Sequence, residues 1–91
     1  MKMHNFSSGP SILPPEVLQK ASEAVLNFNN SGLSLIEISH RDVSFVEIMN
    51  SARNLALELL NLQGKGYSAL LLQGGASLEF VRVANNLMKV N

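Results

Sequence analysis

The sequence predicts an α/β fold whose sheet is incomplete within these 91 residues. Three stretches place apolar residues at three- and four-residue spacing, which indicates helices with one apolar face. A compact apolar run at 67–72 has the length of a strand and does not alternate, which is typical of a strand buried on both faces. Because every ladder hydrogen bond needs a neighbouring strand, one strand cannot form a sheet. The chain is therefore expected to be part of a larger fold or to associate.

The first 13 residues are predicted to form an extended arm or loop, because turn-forming residues cluster there. A helix is then predicted to begin at 14–16, since proline is tolerated in the first turn and an acidic residue suits the helix dipole. Its apolar stripe reaches Phe28, and the polar segment at 29–32 is expected to end it.

The middle of the chain is predicted to hold a short extended segment, a loop and a second helix. Residues 33–39 alternate imperfectly between apolar and polar, as a short strand or extended segment does. After a loop, Ser44 and Glu47 have the spacing of a capping box, with the serine as N-cap. Apolar residues at helical spacing then carry the helix to about residue 61.

The last part is predicted to run from the buried strand through a glycine turn into a third helix. A turn at 63–66 precedes the strand, residues 73–77 (Gln-Gly-Gly-Ala-Ser) follow it, and a helical stripe extends from Leu78 to Leu87. A strand that leads into a helix directs backbone N–H groups and the positive end of the helix dipole at one point, where an anion can bind. The simpler alternative is that the glycine pair only makes a tight connection. The segment is neither a P-loop nor a G-x-G-x-x-G motif.

The composition limits the possible functions. Seven basic residues balance seven acidic ones, so no net field would attract nucleic acid or an anionic membrane. Cysteine is absent, which excludes disulfides and thiolate metal sites, and no metal site is predicted. The sequence shows neither a membrane-spanning stretch nor the apolar segment of a signal peptide, so we expect a cytoplasmic protein. The charged fraction of 15% is low for a small monomer and indicates that much of the surface meets other protein.

A second candidate site lies at 39–41. Arg41 has the fork geometry that binds a carboxylate or a phosphate through two parallel hydrogen bonds, and His40 beside it offers another donor. The simpler alternative is that Arg41 pairs with Asp42 or with a helix terminus, while His40 is an ordinary loop residue. The segment at 5–10 is a third candidate, although its turn chemistry needs no functional explanation.

Taken together, these segments resemble the N-terminal part of the phosphoserine aminotransferases, a family of fold-type I enzymes that use pyridoxal 5'-phosphate (PLP). The resemblance covers essentially the whole chain. The matching motifs, in order, are Asn5-Phe6-Ser7-Ser8-Gly9-Pro10, Leu13-Pro14-Pro15-Glu16-Val17-Leu18, Glu37-Ile38-Ser39-His40-Arg41, Phe45, and Leu72-Gln73-Gly74-Gly75-Ala76-Ser77 with Phe80. The resemblance implies an N-terminal arm at 1–13 and, over 14–91, the incomplete start of the large domain that binds PLP.

The family resemblance also implies an activity and a set of substrate-binding residues. The family members are homodimers that transfer an amino group between glutamate and 3-phosphohydroxypyruvate, giving phosphoserine and 2-oxoglutarate in serine biosynthesis. By this match, Ser8 and Arg41 hold the substrate carboxylate, and His40 lies close to the pocket for the substrate phosphate.

The same match implies that Gly75, Ala76 and Ser77 bind the PLP phosphate. Some relatives carry Gly-Arg where this chain has Ala76-Ser77, so the contact here is expected to use amides and a hydroxyl rather than a guanidinium. None of the four lysines (Lys2, Lys20, Lys65 and Lys89) lies in the context of the lysine that binds PLP covalently. No catalytic residue is therefore predicted in these 91 residues, and the chain alone is expected to be inactive.

Two other interpretations stay open at this point. The chain could come from another fold-type I aminotransferase, such as an alanine–glyoxylate aminotransferase, because related enzymes share the Gly-Pro and Ser-His-Arg elements. The complete Asn-Phe-Ser-Ser-Gly-Pro opening favours the phosphoserine aminotransferases. The chain could instead be a small interaction module without catalytic activity, which a PLP-binding lysine further along the reading frame would exclude.

Overall fold

Helices dominate residues 1–89, the part of the chain that the computed structural model describes. The three α-helices, in chain order, are α1 (Pro15–Leu26), α2 (Val43–Leu59) and α3 (Gly75–Leu87). The chain divides into two compact units, Met1–Glu47 and Ile48–Asn91. Within residues 1–89, none of the helices has the length and apolar character that crossing a membrane requires.

The first helix begins where the sequence predicts. Pro15 occupies the first turn of α1, and Glu16 places a negative charge at the positive end of the helix dipole. The helix ends at Leu26, two residues before the expected Phe28, because Asn27 is extended and its side chain turns to the following loop. The arrangement at the start of α1 confirms the prediction made from the proline pair.

The segment after α1 folds back on itself as a short 3-10 helix, Phe28–Asn30, and a turn. The Phe28 amide donates to the carbonyl of Leu33 at 2.8 Å, and the Gly32 amide donates to Oδ1 of Asn27 at 2.9 Å. Asn29 and its neighbour adopt left-handed backbone angles, which asparagine tolerates better than most residues. This loop leaves Phe28 only 9% exposed, and Phe28 is the one buried apolar residue within 1–89.

The expected extended segment at 33–39 is instead a second 3-10 helix, Leu35–Glu37. A reciprocal capping box stabilises it. The Ser34 amide donates to the Glu37 carboxylate at 2.8 Å, and the Ser34 hydroxyl accepts from the Ile36 amide at 3.3 Å. The imperfect alternation of apolar residues was the wrong guide here, because this cap fixes the backbone locally.

The capping box predicted at Ser44 is also wrong. The helix α2 begins at Val43, one residue earlier, and the Ser44 amide donates to Oδ1 of Asp42 at 2.9 Å. A carboxylate is a stronger acceptor than a hydroxyl, so Asp42 replaces serine as the capping side chain.

The strand predicted at 67–72 is not formed, and its residues are not buried. No β-strand occurs within residues 1–89, and Leu70 is 74% exposed. The physical reason is that a strand needs a neighbouring strand to accept its ladder hydrogen bonds. The segment therefore runs as irregular chain between a turn and α3.

Apolar side chains cover much of the surface in both units. The total accessible surface of the chain is 8268 Å², whereas a compact folded monomer of 9.9 kDa exposes about 5,200 Å². In the second unit no described apolar side chain is buried, and Phe80 of α3 is 78% exposed. Contiguous apolar surface of this kind marks an interface or an aggregation hazard.

We expect the 91-residue chain, when isolated, to associate or to be only partly ordered, because it leaves its apolar helix faces in water. Sedimentation and amide hydrogen exchange measure the two properties. The variant Phe80→Ser removes exposed apolar area without opening a cavity, so it should shift the chain toward monomer. A strictly monomeric chain with slow amide exchange through residues 67–73 would contradict this prediction.

Candidate functional site

The arm is organised by the side chain of Asn5. Its Oδ1 accepts hydrogen bonds from the Ser7 amide at 3.0 Å and from the Ser7 hydroxyl at 2.7 Å. Its Nδ2 donates to the Pro10 carbonyl at 2.7 Å, while its own carbonyl accepts from the Ile12 amide at 2.8 Å. One asparagine thus closes the segment into a turn, as short amide side chains commonly do.

Ser8 lies inside this turn and is exposed. Gly9 follows it with φ of 88°, a left-handed conformation that favours glycine. Within residues 1–89, the Ser8 hydroxyl takes part in none of the hydrogen bonds that hold the turn. The turn therefore presents a serine hydroxyl that is available to a ligand.

The loop at 39–42 is held by its backbone and by Asp42, which leaves two basic side chains exposed. The Ser39 hydroxyl accepts from the Arg41 amide at 3.2 Å, and the Ser39 carbonyl accepts from the Asp42 amide at 2.9 Å. Hydrogen bonds from the hydroxyl and the amide of Ser44 hold the pKa of Asp42 below its ordinary value. Across the described residues, no ion pair joins Arg41 to Asp42, and His40 is exposed beside it.

The glycine turn before α3 has a backbone conformation that requires glycine at position 74. Gly74 has φ of 108°, and a Cβ added there would lie 2.0 Å from Cδ1 and 2.7 Å from Cβ of Leu78. Gly75 has φ of 58°, with open space where its Cβ would be. Among the described residues, no side chain caps α3, and the Leu78 amide donates to the Gly74 carbonyl at 3.4 Å. The amides of Gly75, Ala76 and Ser77 therefore come before the first donor of the helical hydrogen bonds. They form the positive end of the helix dipole.

Arg82 is a residue of this region that sequence reasoning missed. Its Nη2 donates to the Gln73 carbonyl, and its Nη1 pairs with the Glu79 carboxylate at 3.2 Å. The three-residue spacing of Glu79 and Arg82 signals a helical ion pair. The bond to a backbone carbonyl nine residues earlier has no sequence signature.

The three predicted segments are divided between the two units. The arm and the loop at 39–41 belong to the unit Met1–Glu47, and the glycine turn belongs to Ile48–Asn91. The chemistry also differs, because the first two offer side-chain groups and the third offers backbone amides. Over residues 1–89, no three His, Asp or Glu side chains cluster in the way that a metal ion requires.

Comparisons with known proteins agree on one family. No protein-family model matches the chain. Phosphoserine aminotransferases from Flavobacterium johnsoniae and Flavobacterium psychrophilum are 68% and 64% identical to it over all 91 residues. The chain spans about a quarter of the length of these relatives, 26% in both cases.

Solved structures lead to the same family. Phosphoserine aminotransferase from Bacillus circulans subsp. alkalophilus is 38% identical, with a TM-score of 0.79 over 88% of this chain and 22% of the other. A second solved phosphoserine aminotransferase, described for radiation damage of its Schiff base, is 44% identical, with a TM-score of 0.83 over 94% of this chain and 24% of the other. The backbone described above is therefore the fold of the corresponding part of these enzymes.

The relatives and the solved structures that this chain resembles are thus all aminotransferases. More narrowly, the chain is similar over its whole length to the N-terminal quarter of phosphoserine aminotransferases, which confirms the resemblance found in the motifs. The relatives named here favour this family over the alanine–glyoxylate enzymes and over a free-standing interaction module.

Gly74→Ala should destabilise the glycine turn more than Gly75→Ala, its matched control. Both substitutions cost about 1–2 kcal/mol for a left-handed alanine. Gly74→Ala adds an overlap with Cβ of Leu78, which a change of rotamer cannot relieve, and we expect about 1–3 kcal/mol more. Chemical denaturation of the full-length protein that carries this sequence measures the difference. Equal losses from the two substitutions would contradict the described packing of Gly74 on Leu78.

Proposed function

We propose that the chain is the N-terminal quarter of a PLP-dependent phosphoserine aminotransferase. The whole enzyme would transfer an amino group between glutamate and 3-phosphohydroxypyruvate, giving phosphoserine and 2-oxoglutarate in serine biosynthesis. The observation that carries the proposal is the 68% identity to a phosphoserine aminotransferase over every residue of the chain. A homodimer and a cytoplasmic location are also part of the proposal, and they rest on the family resemblance.

The glycine turn fits a phosphate group. The positive φ of Gly75 and the open space at its missing Cβ leave room for an anion close to the backbone. We assign the amides of Gly75 and Ala76 and the amide and hydroxyl of Ser77 as the donors to the PLP phosphate. When bound, PLP supplies the electron sink that amino-group transfer needs.

The exposed side chains of the first unit fit the substrate. Because Asp42 is engaged with Ser44, the Arg41 guanidinium keeps its two parallel donors for a carboxylate. Ser8 offers a hydroxyl for the same group, held in place by the turn around Asn5. We assign His40, next to Arg41, to the pocket for the substrate phosphate.

The chain binds and orients but does not by itself carry out the reaction. Its lysines at 2, 20, 65 and 89 do not match the family's covalent PLP lysine. The contribution of these residues is to fix the two anionic ends of the reactants, which converts binding energy into correct orientation at the reacting atoms.

The 91-residue chain should therefore show no transamination between glutamate and 3-phosphohydroxypyruvate, whereas the full-length protein should catalyse it. Production of 2-oxoglutarate from purified samples, supplied with PLP, provides the measurement. Turnover by the short chain, free of full-length protein, would show that the assignment of the lysines is wrong. A full-length protein that is inactive with this substrate pair but active with another keto acid would overturn the proposed function.

In the full-length protein, Arg41→Ala should weaken substrate binding much more than PLP binding. A charged bidentate pair that is partly removed from water contributes about 2–4 kcal/mol. Arg41→Lys should restore only part of the loss, because a point charge cannot reproduce the guanidinium fork. The readouts are the Michaelis constants for both substrates and the dissociation constant for PLP.

Arg53→Ala is the matched control for this experiment. It removes the same charge, but Arg53 lies on α2 and donates to Oδ1 of Asn50 at 3.3 Å within its own helix. Its loss should leave both Michaelis constants unchanged. If Arg41→Ala behaves like Arg53→Ala, the role of Arg41 is structural.

A further inference from the structure

We propose that Arg82 is a positioning residue for the PLP phosphate, acting through the backbone of the glycine turn. The inference rests on the proposed function. Arg82 reaches from the second turn of α3 back to the carbonyl of Gln73, the last residue before the two glycines. Its side chain is 28% exposed, which is half that of its ion-pair partner Glu79 at 57%.

The turn needs such a tether because of its composition. Gly74 and Gly75 both adopt positive φ, and adjacent glycines have the largest backbone freedom of any residue pair. In the part of the chain that the structure describes, no side chain caps the N-terminus of α3, and the first helical hydrogen bond is long, at 3.4 Å. Within residues 1–89, the bond from Arg82 is the side-chain hydrogen bond that connects the chain before the glycines to the helix after them.

Glu79 determines how Arg82 acts. The carboxylate pairs with Nη1 at 3.2 Å while Nη2 holds the Gln73 carbonyl, so the planar guanidinium is oriented from two sides. The pair also compensates the positive charge of Arg82. Arg82 therefore affects an anion at the helix N-terminus by fixing the directions of the amides of Gly75, Ala76 and Ser77, and not by its own charge.

Fixed donors bind an anion better than mobile ones, because their ordering is already complete before the ligand arrives. Loss of the tether should release the glycine turn and lower the affinity for the phosphate. The loss should not extend to parts of the cofactor that bind elsewhere. The comparison between PLP and pyridoxal, which lacks the phosphate, separates these effects.

The experiment uses the full-length protein with Arg82→Met, which keeps a long helix-forming side chain but has no donor. We expect PLP to bind about tenfold more weakly, the size of one charge-assisted hydrogen bond, while pyridoxal binds with unchanged affinity. Arg82→Lys, with one donor group, should recover part of the PLP affinity. Arg53→Met removes an arginine whose described side-chain hydrogen bond lies within α2 and serves as the matched control, with PLP affinity close to that of the unsubstituted protein.

The outcomes separate the two claims. If Arg82→Met leaves the dissociation constant of PLP unchanged, or weakens PLP and pyridoxal equally, the positioning role is overturned while the proposed function stands. If the unsubstituted protein binds PLP no more tightly than pyridoxal, the proposed function fails and the positioning role with it. Circular dichroism and the melting temperature, measured alongside, identify a variant that has simply unfolded, and Arg82→Lys then decides the question.

Discussion

Hydrogen bonds between short polar side chains and nearby backbone groups hold this structure together. Asn5 closes the arm, Asn27 fixes the loop after α1, Glu37 caps a 3-10 helix and Asp42 caps α2. Because Phe28 is the one apolar residue buried within 1–89, packing cannot supply this role. The bonds of Glu37 and Asp42 satisfy amides at the start of a helix, where the regular pattern leaves them without partners, and the bonds of Asn5 and Asn27 close turns.

The sequence contains enough information for the elements that depend on such local bonds. The start of α1 and the turn into α3 can be predicted because proline and glycine restrict or release φ by their own chemistry. The capping box is harder, because Ser34…Glu37 and Ser44…Glu47 share one pattern. Asp42, two residues before Ser44, decides between them, since its carboxylate accepts the hydrogen bond from the Ser44 amide that the Glu47 side chain would accept in a capping box.

The remaining errors concern non-local partners. The apolar run at 67–72 has the composition of a buried strand, but its state depends on a neighbour that no local pattern supplies. Arg82 was missed for a related reason, because its acceptor is a backbone carbonyl that any residue could provide. The candidate site residues Ser8, Arg41 and Ser77 come from the family motifs and stay predictions, while the turns that carry Ser8 and Arg41 follow from the local bonds of Asn5 and Ser39.

The short span of these bonds has a consequence for how the chain is made. Within residues 1–89, the most widely separated hydrogen-bonded pair, Lys2 and Leu13, is 11 residues apart, and the tether from Arg82 closes only nine. Closing such short loops costs little entropy and takes well under a millisecond. A ribosome adds a residue only every 50–200 milliseconds or so. Each turn can thus reach its described form as it leaves the exit tunnel, whereas no local bond of this kind fixes the apolar run at 67–72. A nascent chain of this kind carries completed turns and exposed apolar faces, which is the state that chaperones recognise.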